Sequence, residues 1–215
     1  LFLNFAILTY FPALGFPLTE PRNYFFANLL YMTVNFAVML LIFRRTLWQS
    51  LREFEGKMLL SVLIGFGMCY GANLVLTTAY TVLDIMPENY NQEAVNSLLG
   101  GYPLAMTLCT VVLAPLAEEC LFRGVLFAPL ARRCLPAAYA LSMFLFAGMH
   151  VFQFLGSMTA ANTILCVSLY LPASFSLCWV YQKTGNIWAC IFLHMFINFQ
   201  SVLASLLRSL MQAFL

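Results

Sequence analysis

The 215-residue sequence has little charge, and this excludes most soluble proteins. Only 8% of its residues are charged, whereas soluble domains carry about 25%. Apolar residues make up 63% of the chain, and the net charge of +2 comes without a basic run that would favour nucleic acid. We therefore predict an all-α fold, a polytopic transmembrane helical bundle with about 6–8 membrane helices around a buried polar cavity. Its surroundings would be the lipid bilayer.

Several residue types that build common active sites are rare or occur at other spacings. Asp84 is the one aspartate, which excludes an aspartyl dyad. The two histidines, His150 and His194, do not form an HExxH sequence, which excludes a zinc site of that type. The seven cysteines include no CxxC pair, so we predict neither a zinc knuckle nor a disulfide framework. Cys120 adjoins two carboxylates, which disfavour a thiolate nucleophile.

Long apolar runs predict six or seven membrane spans. They cover residues 1–16 (a short run), 24–43, 58–83, 103–131, 136–155, 159–181 and 187–207. We predict a polar connector with interfacial character at 44–57 and a polar loop at 84–102. Residues 1–102 would supply the N-terminal transmembrane helices and residues 103–215 the catalytic core, within one integrated membrane domain.

The cations are concentrated in alternate connectors, as the positive-inside rule expects. One side of the predicted bundle holds Arg44, Arg45, Arg52, Lys57, Arg132, Arg133 and Lys183. The other side holds Arg22 and Arg208 together with the acidic connector 84–102. We predict that the first side is cytoplasmic, and the small size and short loops favour a bacterial cell membrane.

Three charged residues lie inside the span 103–131, where each costs a few kcal/mol unless it is paired and used. Glu119 and Arg123 are four residues apart, so they share a helix face and are predicted to pair. Glu118 points about 100° away from Glu119. It is therefore left for a different task.

Polar residues from three spans are predicted to lie at one depth near the middle of the membrane. At about 1.5 Å per residue, Glu118 and His150 each lie roughly 21 Å from the cytoplasmic ends of their spans. Asn198 lies roughly 18 Å from the start of the last span, and His194 lies one turn shallower. His194 and Asn198 are four residues apart, so we expect both to face one cavity.

These side chains suit the activation of water. Glu118 would take a proton from water with help from His150, and the hydroxide would attack a peptide carbonyl. His194 and Asn198 would donate hydrogen bonds to the developing oxyanion.

Three short motifs contain these residues in order: EExxxR at 118–123, FxxxH at 146–150 and HxxxN at 194–198. In these motifs the chain resembles the CPBP family of intramembrane glutamic endopeptidases. That family includes CAAX-processing proteases and bacterial Abi-like proteins of bacteriocin processing or immunity. The resemblance covers residues 103–205, nearly half of the chain.

The resemblance implies an intramembrane endopeptidase that acts on a peptide or protein substrate, membrane-associated in some members. It implies the roles given above, with Glu119 and Arg123 as structural and electrostatic support. We expect no cofactor, because Asn198 suits an oxyanion role better than a ligand role. A metal ion bound by Glu118, His150 and His194 is the alternative.

A function of another class would use the same residues. Buried Glu, His and Arg side chains can form a proton relay in a transporter, or belong to a non-catalytic immunity-like protein. A proton-coupled transporter tends to show internal repeats, and this sequence shows none. Cleavage of peptide by the purified protein separates these functions.

Overall fold

The computed structural model describes residues 10–214, apart from the side chain at position 213. All regular structure in that part of the chain is helical. Six of its helices are long and apolar enough to cross a membrane. The chain is therefore a multi-pass integral membrane protein, and the predicted helical bundle is confirmed. The predicted span 1–16 falls mostly on residues outside the described part.

We number seven helices in chain order. They are α1 Pro21–Arg52, α2 Met58–Val82, α3 Tyr90–Gly101, α4 Pro103–Ala131, α5 Leu135–Val151, α6 Ala160–Thr184 and α7 Ile187–Ala213. A 3-10 segment, Phe152–Ser157, follows α5 directly. All of these helices except α3 are candidate membrane spans.

The first described span is longer than predicted. Helix α1 continues past the predicted end of the span at residue 43, through the cation-rich connector to Arg52. Its 32 residues extend about 48 Å, whereas the hydrocarbon core of a bilayer is about 30 Å thick. Arginine and lysine are good helix formers. In this segment charge therefore marks the edge of the membrane and not the end of the helix.

The connector 84–102, predicted to be a loop, contains the short helix α3. Asn89 caps it by accepting a hydrogen bond at 3.1 Å from the backbone N–H of Gln92, which satisfies a free donor of the first turn. Leu98 and Leu99 are buried in an apolar cluster with Phe25 of α1. This burial holds α3 against the bundle at the end away from Arg52.

The span α4 is a broken helix. Two π-helical segments, Cys109–Leu113 and Cys120–Phe127, interrupt its α-helical turns. Each segment ends just before an Ala-Pro pair that contains Pro115 or Pro129. Proline has no N–H and its ring displaces the carbonyl four residues earlier, which favours a shift of the hydrogen bonds to five-residue spacing. The intervening turn, Ala114–Glu119, ends on the two glutamates.

Helix α2 approaches α6 and α7 closely at Gly65. A Cβ atom at this position would lie 2.6 Å from Val180 Cγ2 and 2.9 Å from Leu193 Cδ2. Both of these side chains are fully buried in one apolar cluster. We expect Gly65→Ala to lower the free energy of unfolding by about 1–3 kcal/mol through overpacking. A lower Tm of the purified protein in detergent would show this.

Gly67→Ala is the matched control, because no described atom lies within 4 Å of a Cβ built there. Alanine is also the better helix former. We expect its Tm to equal or exceed that of the wild type. Equal Tm values for the two variants would contradict close packing at Gly65.

Candidate active site

The adjacent glutamates of α4 have different surroundings. The side chain of Glu119 is fully buried, whereas that of Glu118 is 20% exposed. The Glu119 carboxylate lies 3.1 Å from Arg123 Nε and accepts a hydrogen bond from Arg123 Nη1 at 3.3 Å. The ion pair predicted from the four-residue spacing is therefore confirmed.

The Arg123 guanidinium joins α4 to α5 and α6. Its Nη2 donates to the backbone oxygen of Ser174 at 3.2 Å and to the Ser174 hydroxyl at 3.4 Å. Its central carbon lies 5.1 Å from the ring centre of Phe146, close enough for a cation–π attraction. A fully buried arginine needs such compensation for the water that it has lost.

His194 of α7 bridges the two glutamates. Its Nδ1 lies 2.9 Å from Glu119 Oε1 and its Nε2 lies 3.8 Å from Glu118 Oε2. The ion-paired Glu119 can only accept, so His194 Nδ1–H is the donor. This bond fixes the plane of the ring and directs Nε2 toward Glu118. The sequence predicted the depth of His194 but gave no sign of its bond to Glu119.

His150 of α5 is held by its own helix and by a tyrosine of α6. Its Nδ1 lies 2.9 Å from the backbone oxygen of Phe146 and donates to it, so Nε2 is the acceptor of the neutral ring. Its ring stacks on Tyr170, with centroids 4.5 Å apart. The Tyr170 hydroxyl donates to Asn89 Oδ1 at 3.0 Å and accepts from Asn91 Nδ2 at 3.1 Å. None of our sequence patterns pointed to Tyr170 or to these asparagines.

Phe146 separates the two imidazoles. Its ring centroid lies 4.8 Å from that of His150 and 5.5 Å from that of His194. The Phe146 side chain is 2% exposed. The phenylalanine of the FxxxH motif is thus a buried side chain packed between the two histidine rings.

Asn198 contacts a broken part of α4. Its Nδ2 donates to the backbone oxygen of Thr110 at 2.8 Å, in the first π-helical segment. This contact uses one of the two N–H groups of the amide. The sequence predicted that Asn198 would face inward with His194, but it could not predict that Thr110 would meet it.

A cavity of about 130 Å³ contains the side chains of Glu118 and His150. It is also lined by Tyr24, Asn28, Tyr31, Met32, Asn91, Ala94, Val95, Leu98, Met106, Met149, Phe152 and Gln153. Glu118 Oε2 is a buried atom that has no hydrogen-bond partner among the described residues. A buried carboxylate oxygen in this state is suited to accept a hydrogen bond from water or substrate.

Two comparisons with known proteins found similarity to peptidases. Residues 100–200, which contain all three motifs, match the Rce1-like family, described as type II CAAX prenyl endopeptidase Rce1-like. The match covers nearly half of the chain. YdiL of Bacillus subtilis strain 168, a membrane peptidase by name, is 27% identical over 210 residues, which cover 91% of this chain and 82% of YdiL. No solved structure matches the chain.

These similarities, together with the six candidate spans, support a membrane protease that resembles the CAAX protease family, as the motifs predicted. Among the described residues, no group of three or more His, Cys, Asp or Glu side chains is arranged to hold a metal ion. The expected absence of a cofactor and its alternative, a metal ion bound by Glu118, His150 and His194, both stay predictions.

Proposed function

We propose that the chain is a metal-independent glutamic endopeptidase in which Glu118 activates water. The observation that supports this most is the buried, unpartnered Oε2 of Glu118. Glu118 lines a cavity together with His150, and His194 Nε2 lies 3.8 Å from Glu118 Oε2. A carboxylate placed in this way can take a proton from a water molecule that also contacts the histidines.

The proposed reaction begins with water between Glu118 and His150. Glu118 takes one proton, and the hydroxide forms a bond to the carbonyl carbon of the peptide. His150 Nε2 accepts a hydrogen bond from the same water, because Nδ1–H is already engaged with Phe146. The proton on Glu118 then passes to the leaving nitrogen as the C–N bond breaks.

The oxyanion of the intermediate would form on the side of α7. We propose that the second N–H of Asn198 and the Nε2–H of His194 donate to it. His194 donates from Nε2 only when both ring nitrogens carry hydrogen, because Nδ1–H is bonded to Glu119. The Glu119–Arg123 pair supports this step by keeping the acceptor of that bond ionised.

We further propose that residues 1–102 and 103–215 act as one integrated membrane domain. Residues 103–215, which contain the three motifs, do not enclose the Glu118 cavity alone. Tyr31 of α1 and Asn91 of α3 line the same space as Glu118. The N-terminal half would therefore supply part of the substrate-binding wall.

The test is cleavage of a quenched fluorescent peptide library by the protein purified in detergent. We expect cleavage, and we expect it to be abolished by Glu118→Gln. Failure to cleave any member, in a preparation that is folded by its Tm, would contradict the proposal and favour a non-catalytic role.

Chelation is expected to leave the cleavage rate unchanged. The proposed steps use a carboxylate, two imidazoles and an amide, and none of them passes through a metal. The rate should therefore be equal with and without EDTA or 1,10-phenanthroline. A zinc protease in the same detergent is the control that must lose activity. Loss of cleavage that zinc restores would place Glu118 and the histidines in a ligand shell.

A further inference from the structure

We propose that the Glu118 cavity opens on the non-cytoplasmic face of the membrane and receives internal peptide segments there, preferring neutral or basic ones. Cleavage of such segments rests on the proposed function. The direction of the opening does not, because it follows from the placement of the cavity walls and charges.

The walls of the cavity come from one end of the bundle. On α1 they are Tyr24, Asn28 and Tyr31, in the half of the helix away from Arg44. On α5 and its extension they begin at Met149, far from the start of α5 at Leu135. Helix α3, which belongs entirely to that end, supplies a further wall.

The cations mark the opposite end. Seven of the ten Lys and Arg residues lie near the C-terminal ends of α1, α4 and α6 or in the connectors that follow these helices. They are Arg44, Arg45, Arg52, Lys57, Arg132, Arg133 and Lys183. The positive-inside rule places these connectors in the cytoplasm. The end that contains the cavity walls is therefore the non-cytoplasmic end.

Hydrogen bonds tie the helix ends together on the cytoplasmic side. The backbone oxygen of Ser50 accepts from Asn186 Nδ2 at 2.7 Å, and the Ser50 hydroxyl accepts from the N–H of Ile187 at 3.1 Å. Trp188 Nε1 donates to the backbone oxygen of Leu47 at 2.7 Å. These bonds fix the end of α1 against the start of α7.

Apolar packing closes the route from that side to the catalytic glutamate. A separate cavity of about 420 Å³ at the cytoplasmic end reaches α4 at Gly124. One turn closer to Glu118, Cys120 is fully buried in a cluster with Leu116 and Ile191. We therefore infer that a peptide does not enter from the cytoplasm.

The charges of the cavity favour a neutral or basic segment. Apart from tyrosines, the titratable residues among the described lining residues are Glu118 and His150. No described lining residue is Lys or Arg. Arg123 is fully buried in its pair with Glu119. The connector 84–102 at this end has three acidic residues and no Lys or Arg. A free C-terminal carboxylate would find no Lys or Arg on the described cavity wall, since Arg22 and Arg208 lie at this end outside that wall. Basic side chains would meet complementary charge from Glu118 and the acidic connector.

Membrane vesicles of defined orientation test the proposal. The probes are two membrane-impermeant quenched peptides with the same neutral core, one flanked by lysines and its twin by glutamates. We expect cleavage by right-side-out vesicles and no cleavage by inverted vesicles until detergent opens them. We expect kcat/KM for the lysine peptide to be about tenfold higher at low salt, with a smaller ratio at high salt.

Vesicles that carry Glu118→Gln give the background rate. Cleavage by inverted vesicles without detergent would overturn the proposed orientation. Equal rates for the twins, or a faster glutamate peptide, would overturn the proposed charge preference.

Thiol labelling tests the opening without any cleavage. Ala94→Cys places a thiol on the cavity wall, and the native Cys134, which is exposed beside Arg133, reports the cytoplasmic end. We expect an impermeant methanethiosulfonate to modify Ala94→Cys in right-side-out vesicles and Cys134 in inverted ones. The reverse pattern, or no modification of Ala94→Cys from either side, would overturn the proposal. If both cysteines are labelled from the expected sides but no peptide is cleaved, the proposed function is contradicted and the proposed direction of the opening is not.

Discussion

Glu118→Gln is expected to abolish peptide cleavage while leaving the protein folded. Glutamine keeps the shape of the side chain but cannot take a proton from water. We expect kcat to fall about a thousandfold, which equals ~4 kcal/mol of transition-state stabilisation. KM should change little, because the cavity wall keeps its form. Steady-state kinetics on the peptide selected from the library would measure both constants.

Glu53→Gln is the matched control for this variant. It makes the same chemical change on an exposed side chain near the end of α1, remote from the cavity. We expect wild-type kinetics. An unchanged Tm for Glu118→Gln would show that its loss of activity is chemical and not structural. Cleavage that survives Glu118→Gln would remove Glu118 from the role of general base.

Contacts within one helix could be predicted from the sequence, whereas contacts between helices could not. Glu119 and Arg123 are four residues apart, and their pairing needs only local helical geometry. The bond between His194 and Glu119 joins α7 to α4. It depends on how each helix is rotated about its axis, which an estimate of depth does not give.

The helix α3 and the breaks in α4 had signals that hydropathy does not detect. Asn89 is a helix-capping residue, and Val95, Leu98 and Leu99 follow it at helical spacing. The resulting helix of 12 residues is too short to cross a bilayer, so its segment was predicted as a loop. Pro115 and Pro129 fall just after the π-helical segments, but proline predicts a disturbance without specifying its form.

Arg123→Met is expected to destabilise the protein more than any other single change considered. It leaves the carboxylate of Glu119 fully buried, with His194 as its remaining polar partner. It also removes the donor to both oxygens of Ser174. Loss of one partner of a buried ion pair costs about 3–5 kcal/mol. Thermal unfolding in detergent should show a large drop in Tm, whereas the exposed Arg132→Met should leave Tm unchanged.

The double variant Glu119→Gln/Arg123→Met separates the structural role of the pair from its role in catalysis. With both charges removed, no uncompensated carboxylate remains, so we expect Tm to recover part of the loss. Activity should not recover with it, because His194 then faces a neutral amide and its Nε2 is no longer held toward Glu118 by an ionised partner. Recovery of both properties together would mean that the pair serves the fold alone. If Arg123→Met alone proves as stable as Arg132→Met, the buried charge of Glu119 is compensated by groups other than Arg123.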